Sequence, residues 1–176
     1  MNASRNLDRK ARSLLPDHRP LASAVIDFCW ATRARLDGSV ATSATALAAA
    51  GRMTDLVTAA QREGIVTDVQ QATLDADTNA LVDCLGGCER IVQTPLPFAY
   101  VVHLRRALLL YCGTLPFVLV EALGVYTIPA TLLVAYVLLG IEEIGVEIES
   151  PFGDAPNDLP LDRICSSIEA TLRTEA

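Results

Sequence analysis

The 176-residue chain is 51% apolar with a formal net charge of −7, and its mean hydropathy is +0.34. That length holds one domain or two small ones with a sizeable core, and the apolar content excludes a disordered chain. An acidic chain whose one basic cluster is Arg105-Arg106 is excluded as a nucleic-acid binder.

Helical periodicity dominates. Residues 2–15 predict an amphipathic helix with a basic face, broken by Asp17-His18-Arg19-Pro20. Residues 21–36 predict a second, with Leu21, Val25, Phe28, Cys29 and Thr32 on one stripe. Asp37-Gly38-Ser39 is turn chemistry, followed by a small-residue helix to Ala50. Gly51 punctuates, residues 53–63 form a short helix, and Gly64 ends it. Thr67-Asp68 caps a helix expected from Val69 to Leu85, which Gly86-Gly87 closes. Beta signals are sparse.

Charge is distributed unevenly. Residues 1–106 hold 12 Lys/Arg against 11 Asp/Glu, and residues 107–176 hold 2 against 10. The 35 residues from Ala107 to Ile141 contain one carboxylate, Glu121, and no Lys or Arg. Thr94-Pro95-Leu96-Pro97 is a stiff entry to a helix from Phe98 to Val120, bent at Pro116. Glu121 to Thr127 is the turn, and Pro129 suits the first turn of a helix continuing to Glu149. About 20 helical residues cross a bilayer, and 104–123 and 127–146 each supply them. The purely apolar stretches are shorter, so two buried core helices are the alternative. A mid-bilayer carboxylate costs roughly 2.5–3.5 kcal/mol, which places Glu121 in the headgroups. The Lys/Arg asymmetry predicts a multi-pass protein of the cell membrane with both termini cytoplasmic. Met1 to Pro20 has no hydrophobic signal-peptide core, so targeting is expected from the hairpin.

Candidate chemistry is sparse. Glu142, Glu143, Glu147 and Glu149 end the second span, with Glu143 and Glu147 on one helical face. Carboxylates so spaced occur in di-metal bundles, but those use Glu-x-x-His pairs and the histidines are His18 and His103. A solvated helix end or a ring of charge around an ion path are the other readings. Cys84 and Cys88 are half a zinc site with no second pair. The odd, scattered set Cys29, Cys84, Cys88, Cys112 and Cys165 predicts no disulfide framework and a reducing compartment. No phosphate loop, nucleophile elbow or triad pattern is present, so no enzyme is expected. Between Ser150 and Pro160, Asp154, Asn157 and Asp158 offer oxygens to a cation such as calcium, or form a turn that caps the next helix.

Gly86-Gly87-Cys88-Glu89-Arg90-Ile91, running into Thr94-Pro95-Leu96-Pro97-Phe98-Ala99-Tyr100, resembles the bacterial branch of the bestrophin family. So do Leu115-Pro116-Phe117 and Glu149-Ser150-Pro151-Phe152-Gly153 with Asn157-Asp158-Leu159-Pro160. The resemblance is tight over 86–165 and loose over 1–65. It implies an all-helical homopentameric ion channel with its pore on the fivefold axis. It covers the part after the family's second membrane helix, so the chain is expected to be a truncated or downstream-started member. An ungapped match places the family's cytosolic aperture at Val69, where five valines would form a hydrophobic constriction. Calcium-activated members bind calcium around the Pro-Phe-Gly segment; here Asp154 and Asp158 offer acids, but Ala155 replaces a ligand acid.

The fold expected is therefore all-α, a helical integral membrane protein. Residues 1–93 form a cytosolic helical region, 94–149 a membrane hairpin and 150–176 a cytosolic C-terminal segment. The function expected is passive transport of chloride or monovalent cations through a homo-oligomer in the lipid bilayer. Val69 stands at the constriction, and Glu142, Glu143, Glu147, Asp154 and Asp158 are candidate ion contacts. No metal and no cofactor is expected, calcium being the one candidate. The alternative is a non-conducting, membrane-anchored interaction module.

Overall fold

The computed structural model describes residues 2–38, 43–94, 97–149, 151–153 and 157–174. Every regular element among them is helical: α1 (Asn2–Leu14), α2 (Arg19–Leu36), α3 (Ser43–Arg62), α4 (Asp68–Gln93), α5 (Phe98–Leu123), a 3-10 turn (Gly124–Tyr126), α6 (Thr127–Glu149) and α7 (Leu161–Thr174). The residues to Gln93 and those from Leu159 form one compact unit, and Thr94–Asp158 form a second.

The first unit packs α1, α2, α3, α4 and α7 around one core. On α3, Ala46, Ala49, Ala50, Met53, Val57 and Ala60 are buried, a stripe of helical period whose small members let α2 approach closely. Leu7, Val25, Met53, Val57 and Leu74 are fully buried, so α1, α2, α3 and α4 each place a large side chain in the same interior. On α7, Cys165, Ile168 and Leu172 form the buried stripe. Polar clamps fix it to α2: Trp30 Nε1 donates to Glu169 Oε2 at 2.9 Å, and Arg33 Nε lies 2.8 Å from Asp162 Oδ1. Lys10 Nζ, 2.7 Å from Asp77 Oδ2, ties α1 to α4.

Two expected helix ends are absent. Gly51 lies inside α3 and is exposed. There it forfeits only about 1 kcal/mol of helix propensity, which the buried stripe on the opposite side outweighs. Gly86-Gly87 likewise lie inside α4, which continues to Gln93. Beyond them Glu89 accepts a hydrogen bond from Ser43 Oγ and pairs with Arg35 Nε at 3.2 Å. Tertiary contacts on the far side carry the helix through the glycines.

The α3–α4 junction follows local rules closely. Gly64, at φ +73°, ends α3 with Ile65 N donating to Ala60 O at 2.9 Å and Gly64 N to Gln61 O at 2.9 Å, a Schellman close that needs the left-handed conformation glycine tolerates. Three residues later Thr67 N donates to Gln70 Oε1 at 2.8 Å and Gln70 N to Thr67 Oγ1 at 3.3 Å. This reciprocal capping box sets the start of α4. Thr67→Ala is expected to lower the melting free energy of this unit by about 1 kcal/mol, with faster amide exchange confined to the first turn of α4.

The second unit is a helical hairpin. α5 and α6 pack on each other across the 3-10 turn. Gly124, at φ +52°, closes α5 by donating its N–H to Val120 O. α5 runs uninterrupted through Pro116. Thr114 Oγ1 donates to Leu110 O at 2.9 Å and Tyr111 O at 3.1 Å, just before the proline. The helical stretch Phe98–Glu149 is long and apolar enough to cross a membrane, and only 6% of an apolar 18-residue window within it is buried. A core helix of this composition would be mostly buried, so the alternative of two buried core helices does not describe these residues.

Candidate functional site

Val69 is the second residue of α4, in its first turn, between Thr67 and Gln70 of the capping box. Its side chain is 77% exposed, although its backbone is fixed: Val69 O accepts from Thr73 Oγ1 at 2.7 Å. Val69 therefore presents an apolar side chain that the described residues leave largely uncovered.

The candidate acids separate into different environments. Glu142 leaves only 9% of its side chain exposed and lies 2.7 Å from Arg105 Nη2, whose Nε also donates to the same Oε1 at 3.0 Å. Its charge is therefore spent across the hairpin. Glu147 accepts from Asn157 Nδ2 at 2.9 Å, which links the last turns of α6 to the turn after it. Glu143 is exposed, and Asp158 is half-buried at that turn. Asp154 lies outside the described residues. Glu143 and Glu147 share a face as their spacing dictates. Among the described residues no three His, Cys, Asp or Glu side chains are gathered so as to hold a metal ion.

The cysteines are free. Burial, then the neighbouring Cys165, pushes the Cys29 thiol up to about 12. Burial followed by Cys84 raises Cys88, and burial followed by Asp162 raises Cys165. These thiols stay protonated at neutral pH and are poor nucleophiles and poor metal ligands.

The described residues also form two grooves. One of about 360 Å³ runs between α5 and α6, lined by Tyr100, Leu104, Leu108, Leu138, Ile141 and Gly145 among others. Another of about 580 Å³ lies between α2 and α3, bridged by Arg52 Nη2 and Asp27 Oδ2 at 2.7 Å.

The residue that sequence reasoning missed is Arg105 as the partner of Glu142. The signal was present: Arg105 lies 18 residues before Leu123 and Glu142 lies 18 residues after Gly124. A hairpin folded at that turn brings equidistant residues together.

A packed helical unit joined to an apolar helical hairpin whose side chains face outward defines a membrane protein of the all-α class. The sequence matches the family model described as "Bacterial/Fungal Bestrophin protein" over residues 1–174, and the chain belongs to that family. A crystal structure of a bacterial bestrophin homolog from Klebsiella pneumoniae is similar with a TM-score of 0.90 and 30% identity, covering 98% of this chain and 72% of that one. A "voltage-dependent anion channel-forming protein" of Nostoc is 56% identical over 94 residues, 53% of this chain and 31% of the relative. A protein of the same description from Mesorhizobium japonicum is 34% identical over 188 aligned positions, 96% of this chain and 61% of the relative. The chain thus spans from about a third to under two thirds of the length of these curated relatives.

Proposed function

We propose that this chain is a subunit of a homopentameric ion channel that lets ions pass passively across a cell membrane, and we assign it no catalytic step. The observation that carries the reading is the family match over residues 1–174, combined with a hairpin whose apolar side chains are exposed. Anion passage is the activity in the names of the Nostoc and Mesorhizobium relatives; chloride is therefore the first ion to test here, and a monovalent cation the second. The Lys/Arg asymmetry supports both termini on the cytoplasmic side, with the 124–126 turn outside.

Within this reading Val69 forms the constriction. Five copies place five exposed valines around one axis, and an apolar ring gates by expelling water. Glu143 and Asp158 remain candidate ion contacts along the path, as does Asp154, whereas Glu142 and Glu147 serve the hairpin and its exit turn. Reconstitution of the full chain into vesicles with a salt gradient tests the proposal. Flux that reverses sign with the gradient is expected, and Val69→Ala is expected to raise it several-fold while leaving the particle mass unchanged. Intact pentamers that pass neither chloride nor a monovalent cation would defeat conduction and leave a membrane-anchored interaction module.

A further inference from the structure

Residues 94–158 contain two basic side chains, Arg105 and Arg106. Arg105 is committed to Glu142. Arg106 follows one position later, about 100° round the helix, and so leaves the α5–α6 interface. It is exposed and makes no ion pair with any described carboxylate. His103, exposed and three residues earlier, shares its face. Continuing along that face from Arg106 come Leu110, 70% exposed, and Phe117, 79% exposed.

We propose that this face of α5 binds an anionic phospholipid. The phosphate sits against the Arg106 guanidinium and the His103 ring N–H, and an acyl chain lies along Leu110 and Phe117. The inference rests on the membrane reading above. Three physical arguments support it. The first is depth: Arg106 is 18 residues from Gly124, roughly 27 Å along the helix, so a turn at one surface of a ~30 Å hydrocarbon layer puts Arg106 at the other. The second is length. Arg106 to Phe117 is 11 residues, roughly 16 Å, which matches one leaflet's acyl chain. The third is charge. An arginine at the hydrocarbon edge needs an anion, and a guanidinium takes a phosphate through paired, charge-assisted hydrogen bonds.

Native mass spectrometry of the full chain in mild detergent, titrated with phosphatidylglycerol or phosphatidylcholine of equal chain length, tests this. Phosphatidylglycerol adducts are expected to survive in excess over phosphatidylcholine adducts. Arg106→Gln is expected to reduce that excess about fivefold, the loss of one basic contact at an anionic surface, whereas Arg106→Lys retains most of it. Phe117→Ala is expected to weaken both lipids, and inorganic phosphate is expected not to displace either. Equal retention of the two lipids, an unchanged excess in Arg106→Gln, or displacement by inorganic phosphate would overturn the proposal. So would a loss of subunits from the Arg106→Gln particle with lipid retention intact, since Arg106 would then pair with a second copy. Flotation of the same chain with neutral vesicles separates the two levels. A chain that associates with no bilayer refutes the membrane reading, while one that inserts without preferring the anionic lipid refutes only this inference.

Discussion

Arg105→Gln is expected to destabilise the α5–α6 hairpin by about 3 kcal/mol, through the carboxylate it abandons more than through the guanidinium it removes, because the Glu142 side chain is only 9% exposed whereas that of Arg105 is 56% exposed. Arg105 places Nε and Nη2 on one oxygen of Glu142, at 3.0 and 2.7 Å. An exposed pair of this geometry in water contributes at most about 1 kcal/mol. Here Arg105 stands 19 residues before the 3-10 turn and Glu142 16 residues after it, and the buried Glu142 carboxylate has little access to a substitute donor once Arg105 is removed. The asymmetry makes the prediction sharp. The single Arg105→Gln change is severe and the single Glu142→Gln change mild, whereas the two combined remove both charges and recover most of the stability. Thermal melting in a mild detergent, run as a double-mutant cycle, reads the coupling. An Arg105→Gln protein that melts like the parent would mean that the Glu142 carboxylate is solvated without its partner and that the pair contributes no more than an exposed one.

The elements most legible in the sequence were those written in local chemistry. The break at Asp17 to Pro20 holds: Asp17 Oδ1 accepts from Arg19 N at 3.1 Å and Pro20 sits in the first turn of α2. The Thr67 start of α4 and the helix–turn–helix of the hairpin are also local, the last because 35 residues without Lys or Arg leave few other structures. The errors arose where tertiary contacts override propensity. A glycine read alone is a breaker, but Gly51 sits opposite a buried stripe, and Gly86-Gly87 are bridged by Glu89 reaching Arg35 and Ser43. Neither the stripe's partner nor the Glu89 contacts can be read from a local window. The return of α7 to α2 was equally hidden, since Trp30 and Glu169 are 139 residues apart. At the candidate site, four glutamates of one helix end looked equivalent in sequence. The structure separates them by partner, because pairing depends on which residue of α5 lies opposite. Val69 was singled out only through family resemblance, and the constriction proposed there has no signature in its local pattern, which is that of an ordinary first-turn valine.

Leu74→Ala should have the largest effect in the first unit. Leu74 is fully buried on α4, in the core that α1, α2 and α3 also line. Truncation removes its transfer free energy and leaves a cavity that rigid helices on several sides close only in part, a loss of 2–5 kcal/mol for substitutions of this kind, or roughly 5–15 °C in melting temperature for a chain of this size. Leu47→Ala, at 46% exposure, is the matched control and should stay within about 0.5 kcal/mol. The comparison with Val69 matters most for function. Leu74 lies five residues beyond Val69 on the same helix, so a loosened core would also disturb the constriction proposed there. Melting and flux separate the two roles. Val69→Ala should change flux at an unchanged melting temperature, because its side chain leaves no cavity. Leu74→Ala should lower the melting temperature, and any flux it alters should return on cooling as the unit refolds. If Val69→Ala lowered the melting temperature as Leu74→Ala does, Val69 would be a packing residue and its proposed role in a constriction would fail.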